Sequence, residues 1–286
     1  MGSTGQDGAA FHWDETLYLG SAPYYASGRV PYPAELAGVI AAQLGLDGTG
    51  RLLDCGCGPG SLTVLLAPLF AEAVGIDPDA GMIEQATLAG QRAGLTNIRW
   101  HQLRAEDLPA RLGAFRLVTF AQSFHWMDQP VVARLVARLL APGGACVFVY
   151  ANTHEGVPGS DELEFPRPPR SRMADLIASY LGPVRRAGQA TLPDGLPSEG
   201  ATAMRAAGFV PSGQLDVGAG TIRVRTENDV VASVFSLSSA APHLFGDRLA
   251  EFEAELRGLL RSASPSGIFA ERMQGAVIEV WRPAAG

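Results

Sequence analysis

The sequence predicts an α/β fold with a doubly wound, mostly parallel β-sheet. In the first half of the chain, short apolar runs of strand length alternate with longer segments of helical periodicity, as in a parallel sheet with helices on both faces. The first strand leads through a glycine-rich turn into a helix, and the second strand ends at an acidic residue. With 286 residues, of which 47% are hydrophobic, the chain can bury one large core.

The glycine-rich turn lies within residues 51–67, RLLDCGCGPGSLTVLLA. Residues 51–55 form a short apolar strand, and Gly56, Gly58 and Gly60 follow at alternate positions before a helix begins. Closely spaced glycines cost backbone entropy, and they suit a tight turn that lets a ligand approach the backbone. The amides of the turn and the dipole of the helix favour an anionic or polar ligand there.

The spacing of these glycines distinguishes the turn from two phosphate-binding loops. A P-loop ends in Gly-Lys-Ser/Thr, and the chain contains no lysine. The dinucleotide fingerprint is G-x-G-x-x-G, whereas the glycines here are spaced G-x-G-x-G and Ser61 follows them. The second strand, 72–76, is followed by Asp77, which is placed to hydrogen-bond a ribose diol. We therefore expect a nucleoside ligand that needs no extensive pyrophosphate cradle.

The remaining elements continue the alternation of strands and helices. The predicted strands after the second are 97–101, 115–121 and 145–150, and the predicted helices of this half are 33–44, 78–94 and 131–140. In the second half we predict helices at 172–181, at 198–207, from Thr226 onward and at 247–260, a strand-like segment at 217–225 and a last strand at 276–281.

Composition excludes several function classes. The net charge of −7, with 29 acidic and 22 basic residues, argues against a broad nucleic-acid interface. Without lysine, no Schiff-base chemistry of the pyridoxal phosphate or lysine-aldolase type is available. Cys55, Cys57 and Cys146 have no histidine cluster at metal-ligand spacing, so we expect no metal and interpret them as small apolar residues in a reducing compartment.

The sequence also bears on location. No stretch has the apolar length of a membrane span, and no charged-then-apolar signal begins the chain, so we expect a cytoplasmic protein without a membrane partner. The glycine-rich residues 1–10 are expected to be disordered.

The motif D-x-G-x-G-x-G, which begins at Asp54, resembles that of the class I S-adenosylmethionine-dependent methyltransferases when it is taken with Asp77 and the loop RAEDLP. The segments YYASGRVPYP and FAQSFHWMD are similar to those of a small-molecule group that includes trans-aconitate-type enzymes. The resemblance covers about residues 24–150. It implies a Rossmann-like, seven-stranded sheet and in-line methyl transfer from S-adenosylmethionine to a small-molecule acceptor, a metabolite or natural-product intermediate.

The resemblance also implies a set of cofactor-binding residues. They are Tyr25, Arg29, Asp54, Gly56, Gly58, Gly60, Asp77, Pro78, Met82, Ala105, Glu106, Ala121 and Gln122. Arg29 would face the methionine carboxylate, a charge-assisted contact that suits a guanidinium. Many members carry an acid just before the alanine of the adenine loop, where this chain has Arg104, so Glu106 or Asp107 would accept from the exocyclic amine.

Four further residues are candidates for the acceptor site. His125 lies after the fourth strand and is the candidate general base, because histidine titrates near neutral pH. Tyr18, Tyr24 and Trp126 are candidates for the wall of the acceptor pocket. The alternative is that the stretch FHWMD only fixes the turn into the next helix.

The resemblance further implies a helical insertion that caps the acceptor pocket, and residues 226–274 suit that place. The methyltransferase core would then comprise 11–225 and 275–286. His243 and Phe245 of the insertion are candidates to contact the acceptor, with a place in the core of the cap as the alternative.

Three other functions are considered beside methyl transfer. A cyclase or eliminase of the same fold would retain the cofactor as a scaffold. An NAD-dependent oxidoreductase is disfavoured by the spacing of the glycines. A non-catalytic binding protein would not need the acids and glycines together.

Overall fold

The computed structural model describes residues 14–109, 112–183, 186–187, 190–191 and 200–284. The segment 1–10, expected to be disordered, lies outside the described residues, as do residues 198 and 199 of one predicted helix. Across the described ranges, no helix combines the length and the apolar character needed to cross a membrane.

Strands and helices alternate through the first half of the chain, and the alternation is less regular after it. In chain order the helices are α1 (Ala22–Gly28), α2 (Glu35–Leu44), α3 (Ser61–Leu66), α4 (Ala80–Arg92), α5 (Gln129–Leu139), α6 (Arg170–Leu181), α7 (Gly200–Ala206), α8 (Glu227–Phe235) and α9 (Leu249–Ala263). The strands are β1 (Arg51–Cys55), β2 (Glu72–Asp77), β3 (Ile98–Gln102), β4 (Phe115–Ala121), β5 (Leu140–Ala151), β6 (Arg186–Ala187), β7 (Ala190–Thr191), β8 (Phe209–Val217), β9 (Ile222–Thr226), β10 (Ile268–Arg272) and β11 (Ala276–Pro283).

The main sheet has seven strands in the order β3-β2-β1-β4-β5-β11-β8. Neighbouring strands from β3 to β5 run parallel, and β11 runs antiparallel to both β5 and β8. The strand order reverses at β1, between β2 and β4, and this switch point is where open α/β sheets bind ligands. The prediction of a doubly wound, mostly parallel seven-stranded sheet is confirmed.

Helices cover both faces of this sheet because each presents an apolar stripe. On one face, Leu36, Ile40 and Leu44 of α2 are buried at four-residue spacing, and α2 ends at Gly45 in the left-handed conformation. On the other face, Val132 and Val136 of α5 pack against the sheet. Two separate apolar layers therefore surround the central strands.

The seventh strand differs from the sequence prediction. The predicted segment 217–225 is interrupted by Gly218 and Gly220, which have φ of 71° and 81°. Residues 209–217 form the edge strand β8 instead, and only its two end residues are buried. Because this strand is exposed and contains a proline and a glycine, it lacks the apolar alternation that identifies a strand in sequence.

Residues 222–272 form what we call the accessory unit. Its strands β9 and β10 pair antiparallel, and its helices α8 and α9 share an apolar cluster with Met173 of α6. The helix α8 begins with a capping box in which Thr226 and Asp229 exchange hydrogen bonds. The strand β10 was not predicted, since residues 226–274 were expected to form a helical cap and no strand was assigned within them.

Buried charges join the accessory unit to neighbouring segments. The carboxylate of Glu271 lies between the guanidinium groups of Arg170 and Arg225, at 2.7 and 3.3 Å. Arg225 also donates to the carbonyl oxygens of Gly28 and His154. The unit is thereby fixed to the end of α1 and to the loop after β5.

Candidate active site

A cavity of about 490 Å³ opens at the carboxyl ends of β1, β2 and β4. This volume lies within the usual range for small-molecule sites. Thirteen of the residues proposed for cofactor or acceptor line it: Tyr18, Tyr25, Arg29, Gly56, Gly58, Asp77, Pro78, Met82, Ala105, Glu106, Ala121, Gln122 and Trp126. The structure thus brings together segments that are far apart in sequence.

The glycine turn forms one wall of the cavity. Gly56, Gly58 and Gly60 have φ of 65°, 53° and 80°, a region that other residues rarely adopt. A Cβ on Gly56 would lie 2.6 Å from Cβ of Ser123, and a Cβ on Gly60 would lie 2.6 Å from the Trp100 ring. A Cβ on Gly58 would meet nothing within 4 Å, so the backbone at Gly58 has open space in front of it.

Asp77 links the end of β2 to this turn. Its Oδ2 accepts a 2.9 Å hydrogen bond from the backbone N–H of Gly58, and its Oδ1 accepts a 3.0 Å bond from the N–H of Asp79. Burial raises the pKa of Asp77 to about 6, although these bonds act to lower it. Each oxygen retains capacity to accept a further hydrogen bond from a ligand.

Asp54 was proposed for the cofactor, and the structure places it behind the turn. Its carboxylate is completely buried and accepts hydrogen bonds from the hydroxyls of Thr63 and Thr119, at 2.6 and 2.8 Å. Burial raises the pKa of Asp54. The residue therefore connects β1 with α3 and β4, and it does not line the cavity.

Met82, Ala105 and Glu106 lie at the end of the cavity where the adenine loop was predicted. Glu106 Oε1 accepts a 2.8 Å bond from the N–H of Asp128, and Oε2 lies 3.5 Å from Nε of Arg104. Glu106 therefore joins the loop after β3 to the start of α5. Asp107, the other acid considered for the exocyclic amine, is exposed and does not line the cavity.

The segment around α1 covers the cavity from the opposite side. The rings of Tyr18 and Tyr25 meet edge to face at 6.1 Å, and Tyr18 is 6.3 Å from the ring of Trp126. Burial raises the pKa of both tyrosines. The guanidinium of Arg29 lies 4.9 Å from the centre of the Tyr25 ring.

The residues after β4 form the remaining wall. Among the residues that the structure describes, Gln122 is the one non-glycine residue with positive φ, at 56°. Such a conformation costs about 1–3 kcal/mol and is found at functional sites. Trp126 lines the cavity, whereas His125 lies beside it with ring centroids 4.8 Å apart and is not part of the lining.

Six proposed residues are not brought to the cavity surface: Tyr24, Asp54, Gly60, His125, His243 and Phe245. Tyr24 packs on Phe235 of α8 at 5.0 Å, and Phe245 lies in the apolar cluster of the accessory unit. His243 Nδ1 donates to the carbonyl oxygen of Leu19 at 3.0 Å. Tyr24 and His243 therefore connect the accessory unit with the segment that covers the cavity.

Several cavity residues were not singled out from the sequence. Tyr32 follows Arg29 in the same aromatic segment, and Ser61, Leu62 and Leu65 belong to the helix after the glycine turn. The available signal was position, because Tyr32 lies within the segment YYASGRVPYP and the other three lie within five residues after Gly60. Thr153 carried no signal, because it lies in the irregular loop after β5.

Comparisons of sequence agree with this geometry. A family profile described as a methyltransferase domain matches residues 52–144, from β1 into β5. The uncharacterized methyltransferase YcgJ of Bacillus subtilis is 29% identical over 137 residues, which are 48% of this chain and 54% of that protein. A ubiquinone biosynthesis O-methyltransferase of Psychrobacter arcticus is 33% identical over 114 residues, 39% of this chain and 44% of that protein. The chain thus spans about half the length of the curated relatives it matches.

Solved structures share the fold. The crystal structure of YcgJ superposes with a TM-score of 0.50 at 18% identity, covering 87% of this chain and 98% of that one. The [4+2]-cyclase SpnF gives a TM-score of 0.53 at 20% identity and covers 95% of this chain and 94% of that one. The matched domain, the order of its motifs and the seven-stranded sheet together support a class I S-adenosylmethionine-dependent methyltransferase domain in this chain.

Proposed function

We propose that this protein transfers a methyl group from S-adenosylmethionine to a small-molecule acceptor. The observation that carries the proposal is the placement of Asp77. Its carboxylate lines the cavity beside the open backbone of Gly58, and its two oxygens are oriented by backbone N–H groups. An oriented carboxylate next to an unobstructed glycine is the arrangement that a ribose diol needs.

The other residues of the cavity suit the remaining parts of this cofactor. Met82 and Ala105 offer apolar surface for the adenine, and Ala121 and Gln122 border the methionine end. Arg29 is the cation placed to meet the carboxylate of the amino acid end. The bound cofactor supplies an activated methyl group on a sulfonium, so the task of the protein is alignment and exclusion of water.

The aromatic end of the cavity is proposed for the acceptor. Tyr18, Tyr25 and Trp126 provide apolar surface there, and the raised pKa of the two tyrosines keeps them protonated at neutral pH. Because protonated tyrosines can donate but not remove a proton, His125 beside Trp126 is the candidate proton acceptor. Residues 226–274 are proposed to cover this end, supported by the contact of His243 with Leu19.

Calorimetric titration and methyl transfer test the proposal together. We expect micromolar binding of S-adenosylmethionine and S-adenosylhomocysteine and no binding of NADH. Transfer of labelled methyl from S-adenosylmethionine to a member of a metabolite panel would then identify the acceptor. Absence of binding by both adenosyl ligands would contradict the proposed function, and binding of NADH alone would favour an oxidoreductase.

A cyclase or eliminase of the same fold is the second candidate. It is supported by the shared fold with SpnF and by the position of His125, which is not among the described residues that line the cavity. Such an enzyme would bind S-adenosylhomocysteine as firmly as S-adenosylmethionine and would convert its substrate without consuming the methyl donor. Conversion without transfer of label would therefore select this candidate.

A further inference from the structure

The helix α1, which covers the cavity, is anchored on the accessory unit. A Cβ on Gly28 would lie 2.4 Å from the carbonyl oxygen of Ala232, so α1 and α8 are in close backbone contact. The carbonyl of Gly28 also accepts a 2.7 Å hydrogen bond from Nη2 of Arg225. The position of the next residue, Arg29, therefore depends on α8.

Ser236 at the end of α8 holds Arg29 by two contacts. Nε of Arg29 donates to Oγ of Ser236 at 2.8 Å, and Nη2 donates to the carbonyl oxygen of Ser236 at 2.7 Å. The hydroxyl of Ser236 donates to the carbonyl of Ser233 at 2.8 Å, so its oxygen is left to accept from Arg29. Because Ser236 follows the last turn of α8, the helix dipole also favours a guanidinium there.

These contacts leave one edge of the guanidinium for a ligand. Ser236 occupies Nε and Nη2, whereas Nη1 lies 3.5 Å from Oγ1 of Thr153, another cavity residue. The ring of Tyr25 lies against the guanidinium at 4.9 Å and limits its rotation. A planar guanidinium held on one edge by oxygen acceptors presents its other edge in a fixed direction.

We propose that Ser236 is a positioning residue for cofactor binding. By holding Nε and Nη2 of Arg29, it directs Nη1 toward the carboxylate of the amino acid end of the cofactor. The accessory unit thereby contributes to cofactor affinity without touching the cofactor. This inference rests on the proposed function, since it requires an adenosyl amino acid in the cavity.

The test compares two ligands that differ in the amino acid end. S-adenosylhomocysteine carries the carboxylate, and 5′-methylthioadenosine has the same nucleoside thioether without it. We expect Ser236→Ala to raise the Kd of S-adenosylhomocysteine about tenfold, the effect of weakening a charge-assisted hydrogen bond. The Kd of 5′-methylthioadenosine should stay within about twofold of the unaltered protein. A general loosening of the cavity would instead weaken the binding of both ligands to the same extent.

Three further variants complete the test. In an Arg29→Ala background, Ser236→Ala should have no additional effect on S-adenosylhomocysteine, because the two residues act as one unit. Ser233→Ala is the matched control, since it removes a buried hydroxyl of α8 that does not contact Arg29. Should Ser236→Ala fail to fold, Ser236→Cys keeps the side-chain volume and replaces the oxygen with a weak acceptor, and its result is interpreted in the same way.

Equal weakening of both ligands, or additive effects in the Arg29→Ala background, would overturn the role of Ser236. These results leave the proposed function intact as long as the unaltered protein binds S-adenosylhomocysteine. Failure of the unaltered protein to bind that ligand would instead overturn the proposed function, and the inference with it.

Discussion

The backbone N–H of Gly58 donates a 2.9 Å hydrogen bond to the carboxylate of Asp77. This bond joins the turn after β1 to the end of β2, so that one residue shapes the glycine turn and lines the cavity. The two functions of Asp77, in the turn and in the cavity, can be separated by measuring stability and ligand affinity on the same variants.

Asp77→Ala should raise the Kd of S-adenosylhomocysteine more than tenfold while the fold stays intact, because the proposed acceptor for the ribose hydroxyls is removed. Calorimetric titration gives the affinity, and circular dichroism with thermal melting checks the fold. Asp79→Ala is the matched control, since Asp79 caps α4 through the N–H of Met82 and does not line the cavity. Unchanged affinity in Asp77→Ala would remove this residue from the ribose site.

The affinity for S-adenosylhomocysteine should fall as the solution is made more acidic than about pH 6. Burial raises the pKa of Asp77 to about 6, and in the proposed site a ribose hydroxyl would donate to the ionised carboxylate. Protonation therefore removes an acceptor, and Kd rises as pH falls through that pKa. Titrations at several pH values test this expectation. Asp77→Asn should bind weakly with no such dependence, and an identical slope in that variant would assign the titration to another group.

Asp54→Ala should lower the free energy of unfolding by roughly 2–4 kcal/mol, because it leaves the hydroxyls of Thr63 and Thr119 without their acceptor in the core. Urea unfolding measures this loss. The affinity of the folded protein for S-adenosylhomocysteine should change less than threefold, which is about the effect of a substitution that lies away from the binding surface. A large loss of affinity with normal stability would return Asp54 to the cofactor site.

His125→Ala should lower turnover about a hundredfold, in the range of general acid–base catalysis, and affect cofactor affinity little. His125→Phe keeps the ring contact with Trp126 but cannot accept a proton. For a proton acceptor, the phenylalanine variant should be as slow as the alanine variant, as measured by transfer of labelled methyl. Recovery of turnover in His125→Phe would assign the residue to packing, and a loss of affinity larger than the loss of turnover would assign it to the cofactor.

The local features of this fold were predictable from sequence. The glycines at 56, 58 and 60 identify the turn because each backbone there requires positive φ, and an acid at the end of a parallel strand necessarily lies at the edge of the sheet where ligands bind. The central strands were found because they are buried and therefore apolar along their length.

Long-range packing was not predictable in the same way. Tyr24 and Tyr25 are neighbours in one aromatic segment, and only the docking of α1 on α8 turns Tyr24 toward Phe235 and Tyr25 into the cavity. That docking depends on the contact of Gly28 with Ala232, which no local pattern reveals. The exposed strand β8 escaped prediction for the opposite reason, since little of it is buried.

Arg29 and Ser236 are in contact but lie 207 residues apart in sequence. During synthesis, Arg29 is therefore made well before Ser236. At usual rates of translation, roughly 10–40 s pass between the appearance of the first residue and that of the second. The central strands are complete well before Ser236 is made, but the segment that covers the cavity cannot yet dock on α8. Ligand binding that depends on this segment consequently stabilises the finished chain, and it gives no help to the nascent one.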